Sequence, residues 1–269
     1  MRGFMLKHRR RRTTVDALTA MYDAILATEP DVPLLFRLTS YRGQQALWQD
    51  HLGTVPVEDI GDPTGAVSHP ETGDIFSVQT TDGSRPIWGG EDVGLVFDQP
   101  DNVTFLRIGP DTHLMSRLTA GGTTATIFCD VEVTEFVGFH YFVGSNDDNE
   151  WSAFSTNENG RLRFVFRGSG SLLNVRYEPF FEEPERRVAC VRNDGNNHTL
   201  WRDGELVDTR SSSGSWREIN IDAGIGVTIT ESGDVSGTPR LVGSIGAVLM
   251  FEQDLNASEI EAVSEELAI

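Results

Sequence analysis

The sequence predicts an all-β protein in which two antiparallel sheets stack face to face, with an amphipathic helix ahead of the sandwich and a short helix closing it. Three observations predict this. Apolar and polar residues alternate with a period of two in several short segments, turn residues separate those segments at short intervals, and no helical pattern intervenes between them.

Residues 1–12 form a basic arm, with Arg2, Lys7, Arg9, Arg10, Arg11 and Arg12 and no acid. The predicted helix occupies 13–29. Leu18, Met21, Tyr22, Ile25 and Leu26 recur at i, i+3, i+4, i+7 and i+8, one apolar stripe of a 3.6-residue period. Thr13 or Thr14 can cap it, Asp16 suits the positive end of its dipole, and Pro30 and Pro33 stop it. A lone helix of about 14 residues is marginal in water, so its stripe must rest on something.

From residue 34 to 269 the texture is β. In Ala125–Thr134, Ile127, Cys129, Val131 and Val133 share one face; Thr126, Phe128, Asp130, Glu132 and Thr134 share the other, expected to be the wet one. Leu162, Phe164 and Phe166 alternate likewise, and 223–230 and 241–251 read as further strands. Asp203-Gly204 supplies both positive-φ positions of a tight hairpin turn between 198–202 and 205–208. Asn256 followed by Glu259 is a capping-box pattern, ahead of an apolar stripe of Ile260, Val263 and Leu267.

Charge and composition exclude several classes. The net charge is −19; with +6 on the arm, residues 13–269 carry −25. So acidic a body repels nucleic acid and anionic membrane, and sequence-specific nucleic-acid binding is not expected. No run approaches the roughly 18 apolar residues of a membrane span, and the N-terminus makes a poor secretory signal because acids interrupt its apolar stretch. Cys129 and Cys190 lack CxxC or metal-ligand spacing and are expected to be reduced.

Two sets of motifs then carry a resemblance. Arg187-Val-Ala-Cys-Val-Arg-Asn-Asp-Gly195, Thr199-Leu-Trp-Arg-Asp-Gly-Glu-Leu-Val207, Gly243-Ser-Ile-Gly-Ala-Val-Leu-Met-Phe251 and Leu255-Asn-Ala-Ser-Glu-Ile260 follow one another as in the C-terminal half of laminin-G/pentraxin-like domains. Leu47-Trp-Gln-Asp-His-Leu-Gly-Thr-Val-Pro-Val57, Gly61-Asp-Pro-Thr-Gly65, the Gln79-to-Pro86 stretch and Leu95-Val-Phe-Asp98 resemble concanavalin-A-like modules of tailed-phage virion proteins, although Gln99 stands where those modules usually place glycine. Together the two cover about residues 44–267. The resemblance implies a concanavalin-A-like jelly roll in a spike, fibre or decoration protein, made in the host cytoplasm and located in the virion. It also implies other virion proteins as partners, among them capsid, connector or fibre subunits.

Each candidate site has a plainer role beside it. Asp130, Glu132 and Glu135 echo the alternating carboxylates of concanavalin-fold glucanases, but the order is reversed and flanking tryptophans are missing, so a solvated sheet face is expected. Asn146 to Glu150 is an oxygen-rich loop before an aromatic. Asp147, Asp148, Asn149 and Trp151 are the candidate ligand-binding residues, for Ca²⁺ or a sugar, against the plainer reading of a solvated turn. His51, His69 and His198 have no metal spacing; no metal site and no catalytic residue is expected. Arg9 to Arg12 with Leu18, Met21, Tyr22 and Ile25 are the candidate particle-docking residues.

The expectation is therefore a non-enzymatic virion structural protein, anchored by its arm and helix, with a projecting jelly roll, a homo-oligomeric state and a host surface glycan as a further partner. The alternative is a dedicated carbohydrate-binding adhesin, and behind it a glycoside hydrolase of the same fold.

Overall fold

A computed structural model describes residues 34–39, 47–68, 75–90, 93–97, 103–108, 124–136, 138, 140–146, 151–157, 159–167, 172–177, 181, 183–211, 223–229, 234–235, 241–251 and 253–268. The predicted arm and helix (1–29) lie outside these residues.

The strands, in chain order, are β1 (Leu34–Thr39), β2 (Leu47–Trp48), β3 (Ala66–Ser68), β4 (Ile75–Val78), β5 (Ile87–Trp88), β6 (Leu95–Val96), β7 (Leu106–Ile108), β8 (Ala125–Val133) and β9 (His140–Asn146). They continue with β10 (Trp151–Thr156), β11 (Leu162–Arg167), β12 (Leu172–Tyr177), β13 (Glu185–Asn193), β14 (Asn197–Arg202), β15 (Glu205–Ser211), β16 (Ala223–Ile225) and β17 (Gly243–Phe251). Helix α1 (Ala257–Leu267) follows. One sheet runs β15-β14-β13-β8-β17-β6-β5, with β1 also on β17; the other runs β12-β11-β10-β9-β16-β7-β4-β3-β2. Every named strand pairing is antiparallel. The architecture is the expected jelly-roll sandwich.

Between the sheets lies the main core. Ile127, Cys129, Val131 and Val133 of β8 meet Phe142, Val143, Phe154, Leu162 and Phe164 from the opposing sheet. Phe142, Phe154 and Phe164 stack edge to face, with centroids 5.6 and 6.1 Å apart. A bulge makes this possible: Val143 pairs with Phe154 and Tyr141 with Ser155, so Phe142 is the extra residue and both it and Val143 enter the core.

The other face of β8 corrects the expectation that it is wet. Phe128, Val188, Cys190, Trp201, Leu249 and Phe251 form a second apolar layer, sealed by Ile260, Val263 and Leu267 of α1. The helix starts as its sequence predicts: Asn256 accepts from the Ser258 and Glu259 amides, and Glu259 Oε2 accepts from the Asn256 amide at 2.7 Å. Such a cap contributes about 1 kcal/mol, and each buried aliphatic about 1.5–3 kcal/mol. At the β14–β15 turn Asp203 and Gly204 have φ of 50° and 86°, the conformation the hairpin motif requires. The stretch expected as a strand over 223–230 is one only to Ile225. Gly226 then turns the chain, and Val227 and Ile229 settle against Gly224.

Candidate functional site

Several sequence candidates lie outside the described residues: Arg9, Arg10, Arg11, Arg12, Leu18, Met21, Tyr22 and Ile25, and the loop residues Asp147, Asp148 and Asn149. Trp151 is described as the first residue of β10, in register with Asn146. Among the described residues no group of three His, Cys, Asp or Glu side chains could hold a metal, and no helix is long and apolar enough to cross a membrane.

The glucanase-like carboxylates have separate environments. Asp130 is 1% exposed and is gripped bidentately by Arg186, Nε to Oδ1 at 2.7 Å and Nη2 to Oδ2. Arg186 Nη1 also donates to the Val93 carbonyl. The pair sits over a bulge in β17, where Gly246 is the extra residue between Ile245 and Ala247. A Cβ at Gly246 would collide with both Arg186 Nη2 and Asp130 Oδ2. The expected solvated charge is thus a buried ion pair. Glu132 is half-buried and accepts from Ser244 Oγ at 3.3 Å, while Glu135 is exposed. Asp130 thereby ties β8 to β13, and Glu132 ties β8 to β17.

His198 is fully buried in the sandwich, its ring stacked on Phe164 at 6.1 Å and 21°. Burial pushes its pKa down from 6.5 to about 4, against a weaker pull from Asp194, so the imidazole is neutral at pH 7. It is a core residue. His51 is half-exposed, and His69 lies outside the described residues.

The motif residues of the first half converge on one loop, 49–62, and its supports. Gln49 Nε2 donates to the Pro56 carbonyl and to Asp62 Oδ2. Asp50 accepts from the Thr54 amide and hydroxyl and the Val55 amide, which lowers its pKa to about 2. Asp62 accepts from the Glu58 and Asp59 amides, which lower its pKa as well. Gln79 and Arg85 brace the base: Arg85 Nε donates to the Gln79 carbonyl, and Gln79 Nε2 to the Phe105 carbonyl. Gly65 leaves no room for a side chain, since a Cβ would lie 2.6 Å from the Gln49 carbonyl oxygen. Gln49, Asp50 and Asp62 thus spend hydrogen bonds within the loop and stiffen it.

One arrangement escaped the sequence reading. The registers Trp48–Ala66, Ala66–Val78, Val78–Arg107, Arg107–Gly224 and Gly224–Gly144 align six residues in a single row across β2, β3, β4, β7, β16 and β9. Paired residues point to the same side of a sheet, and Leu47, Val67 and Leu106, next in their strands, point into the core. The row therefore lies on the outer face. Trp48, Val78 and Arg107 are half-exposed above a floor of Ala66, and Val227 and Ile229 close the far end over Gly224. Trp48 Nε1 donates to Ser68 Oγ at 3.0 Å, which fixes the indole. In the neighbouring row Tyr141, Ser155 and Arg163 are also in register but buried. Burial raises the Tyr141 pKa, with Arg163 opposing it. No sequence signal could have found the Trp48–Arg107 row, because strands of two to four residues are too short to show a period.

No protein-family model matches the chain, and no curated protein matches it in sequence. Among solved structures, the CBM40 of Ruminococcus gnavus IT-sialidase superposes with a TM-score of 0.47 at 14% identity, covering 54% of this chain and 84% of that one. A botulinum neurotoxin type C structure, concerned with interaction with two ganglioside molecules, gives 0.49 at 12% identity over 63% of this chain and 42% of the toxin chain. NanB sialidase from Streptococcus pneumoniae gives 0.45 at 15% identity, over 53% of this chain and 24% of that enzyme.

Proposed function

We propose that the chain is a non-enzymatic binding module that reads a surface glycan on the outer face of its nine-stranded sheet, and that residues 1–29 mount it on a virion-type assembly. One observation carries the ligand class: the row of Trp48, Ala66, Val78 and Arg107. A fixed indole beside a small-residue floor suits the apolar face of a sugar ring, and a guanidinium some three strands away suits hydroxyl or carboxylate oxygens. The virion setting is supported by the motif resemblance over 47–57, 61–65, 79–86 and 95–98, and by a basic arm joined to an apolar helical stripe. The carboxylates nearest to a glucanase pattern are committed to Arg186 and Ser244, which supports a module without hydrolytic chemistry.

The test is a glycan array probed with the labelled full chain, followed by calorimetry on any glycan retained. Trp48→Ala and Arg107→Ala are each expected to weaken binding by about tenfold or more, since each removes on the order of 1.5 kcal/mol. An array without a saturable hit, or a hit indifferent to both substitutions, rejects the ligand class. Hydrolysis of a β-glucan that is abolished by Glu132→Gln would instead make the protein an enzyme.

A further inference from the structure

Loop 49–62 presents apolar side chains to water, while Gln49, Asp50 and Asp62 hydrogen-bond back into the loop. Leu52 is 66% exposed, Val55 45% and Ile60 76%, and Ile75 at 40% packs over Gly53. The loop is held stiffly: besides the Asp50 and Asp62 caps, Gly61 donates to the Trp88 carbonyl and Trp88 to the Asp62 carbonyl, each at 2.8 Å. Stiff, exposed aliphatic groups are stabilised by being covered, and the braced loop cannot collapse to hide them. Around them stand Asp50, Glu58, Asp59 and Asp62, and residues 47–62 contain no lysine or arginine.

Apolar residues ringed by acid have a complement within this same sequence. Arg9 to Arg12 precede Leu18, Met21, Tyr22 and Ile25, four cations followed by a helical apolar stripe. The geometry points to the loop 49–62 of one copy as the docking site for residues 9–25 of a second copy. A chain that seated its own arm would remain monomeric at every concentration, so the state of association separates that arrangement from docking on a neighbouring copy. The contact is head to tail, so each copy both gives an arm and receives one.

The inference deepens the mounting role proposed for residues 1–29 by naming a second copy as what they dock on; it does not depend on the ligand of the outer sheet face, and its test keeps the two apart. The full chain is compared by sedimentation velocity with two full-length variants, Ile60→Glu and an arm variant in which Arg9, Arg10, Arg11 and Arg12 are all replaced by Glu. Wild type is expected to self-associate with rising concentration and to dissociate at about 0.5 M salt. Each variant alone stays monomeric, and an equimolar mixture regains a one-to-one complex, because one supplies the intact arm and the other the intact loop. A monomeric wild type, variants that still associate, or a mixture that does not pair overturns the proposal. Unchanged circular dichroism and melting of both variants show that they fold, and unchanged glycan retention would leave the ligand reading standing if association fails.

Discussion

Cys129 and Cys190 occupy hydrogen-bonded neighbouring strands, one register step apart, yet point to opposite faces of the same sheet. Cys129 pairs with Ala189, and Cys190 with Phe128. Cys129 belongs to the core between the sheets, Cys190 to the layer beneath α1. A disulfide would have to pass through the backbone. Burial also pushes both thiols well above their ordinary range, so neither offers a thiolate at neutral pH. The native protein is expected to give no reaction with a thiol reagent and two equivalents after denaturation, with a melting temperature indifferent to reductant. A native intramolecular disulfide found by mass spectrometry would contradict this arrangement.

Asp130 and Arg186 make a second testable pair. Removing one partner leaves the other charged and largely out of water, so Asp130→Ala is expected to cost about 3–5 kcal/mol in urea denaturation. Replacing both with apolar residues of similar volume should recover most of that loss. A cost near zero for the single variant would mean that Arg186 finds solvent without it.

Acid should weaken the fold through His198. Its folded pKa of about 4 lies below the 6.5 of a free imidazole, so the unfolded chain takes up the proton first. Stability is fully present above pH 6.5, falls as the pH drops towards 4, and is lower by about 3 kcal/mol below that. His198→Phe, which keeps an aromatic ring against Phe164, should flatten the urea midpoint between pH 7 and pH 4.5. The lowered carboxyls of Asp50 and Asp62 act in a separate window: their contribution is present above the ordinary 3.8 and is lost only as the pH falls below it. An unchanged slope in the His198 variant would assign the acid sensitivity elsewhere.

Local chemistry was legible in the sequence, and tertiary coverage was not. Asp203-Gly204 and Asn256 with Glu259 specify their turn and cap through neighbouring backbone groups, and both appear where the residues require them. Alternation in β8 correctly sorted its residues onto two faces. It could not say what lies over the second face, so Asp130 was expected in water and is instead beneath Arg186. The same limit applies to the candidate site. Trp48 and Arg107 stand 59 positions apart in the sequence, and only the register of three successive pairings puts them in one row. Alternation likewise carried the strand reading on to residue 230, whereas Gly226 takes up φ of 84° and turns the chain.

The position of β8 has a consequence for how the protein comes to be folded. Val131 stands between Arg187 and Ile245, partners that follow it by 56 and 114 residues. Neither hairpin closure nor any local nucleus can complete that central triplet, so its assembly waits on long-loop ordering and belongs to the slow, millisecond-to-second regime of non-local β topologies. Until then β8 is a nine-residue strand with both edges open and the apolar face of Ile127, Cys129, Val131 and Val133 uncovered, which makes the interval before β17 arrives the stage at which this chain is most exposed to aggregation.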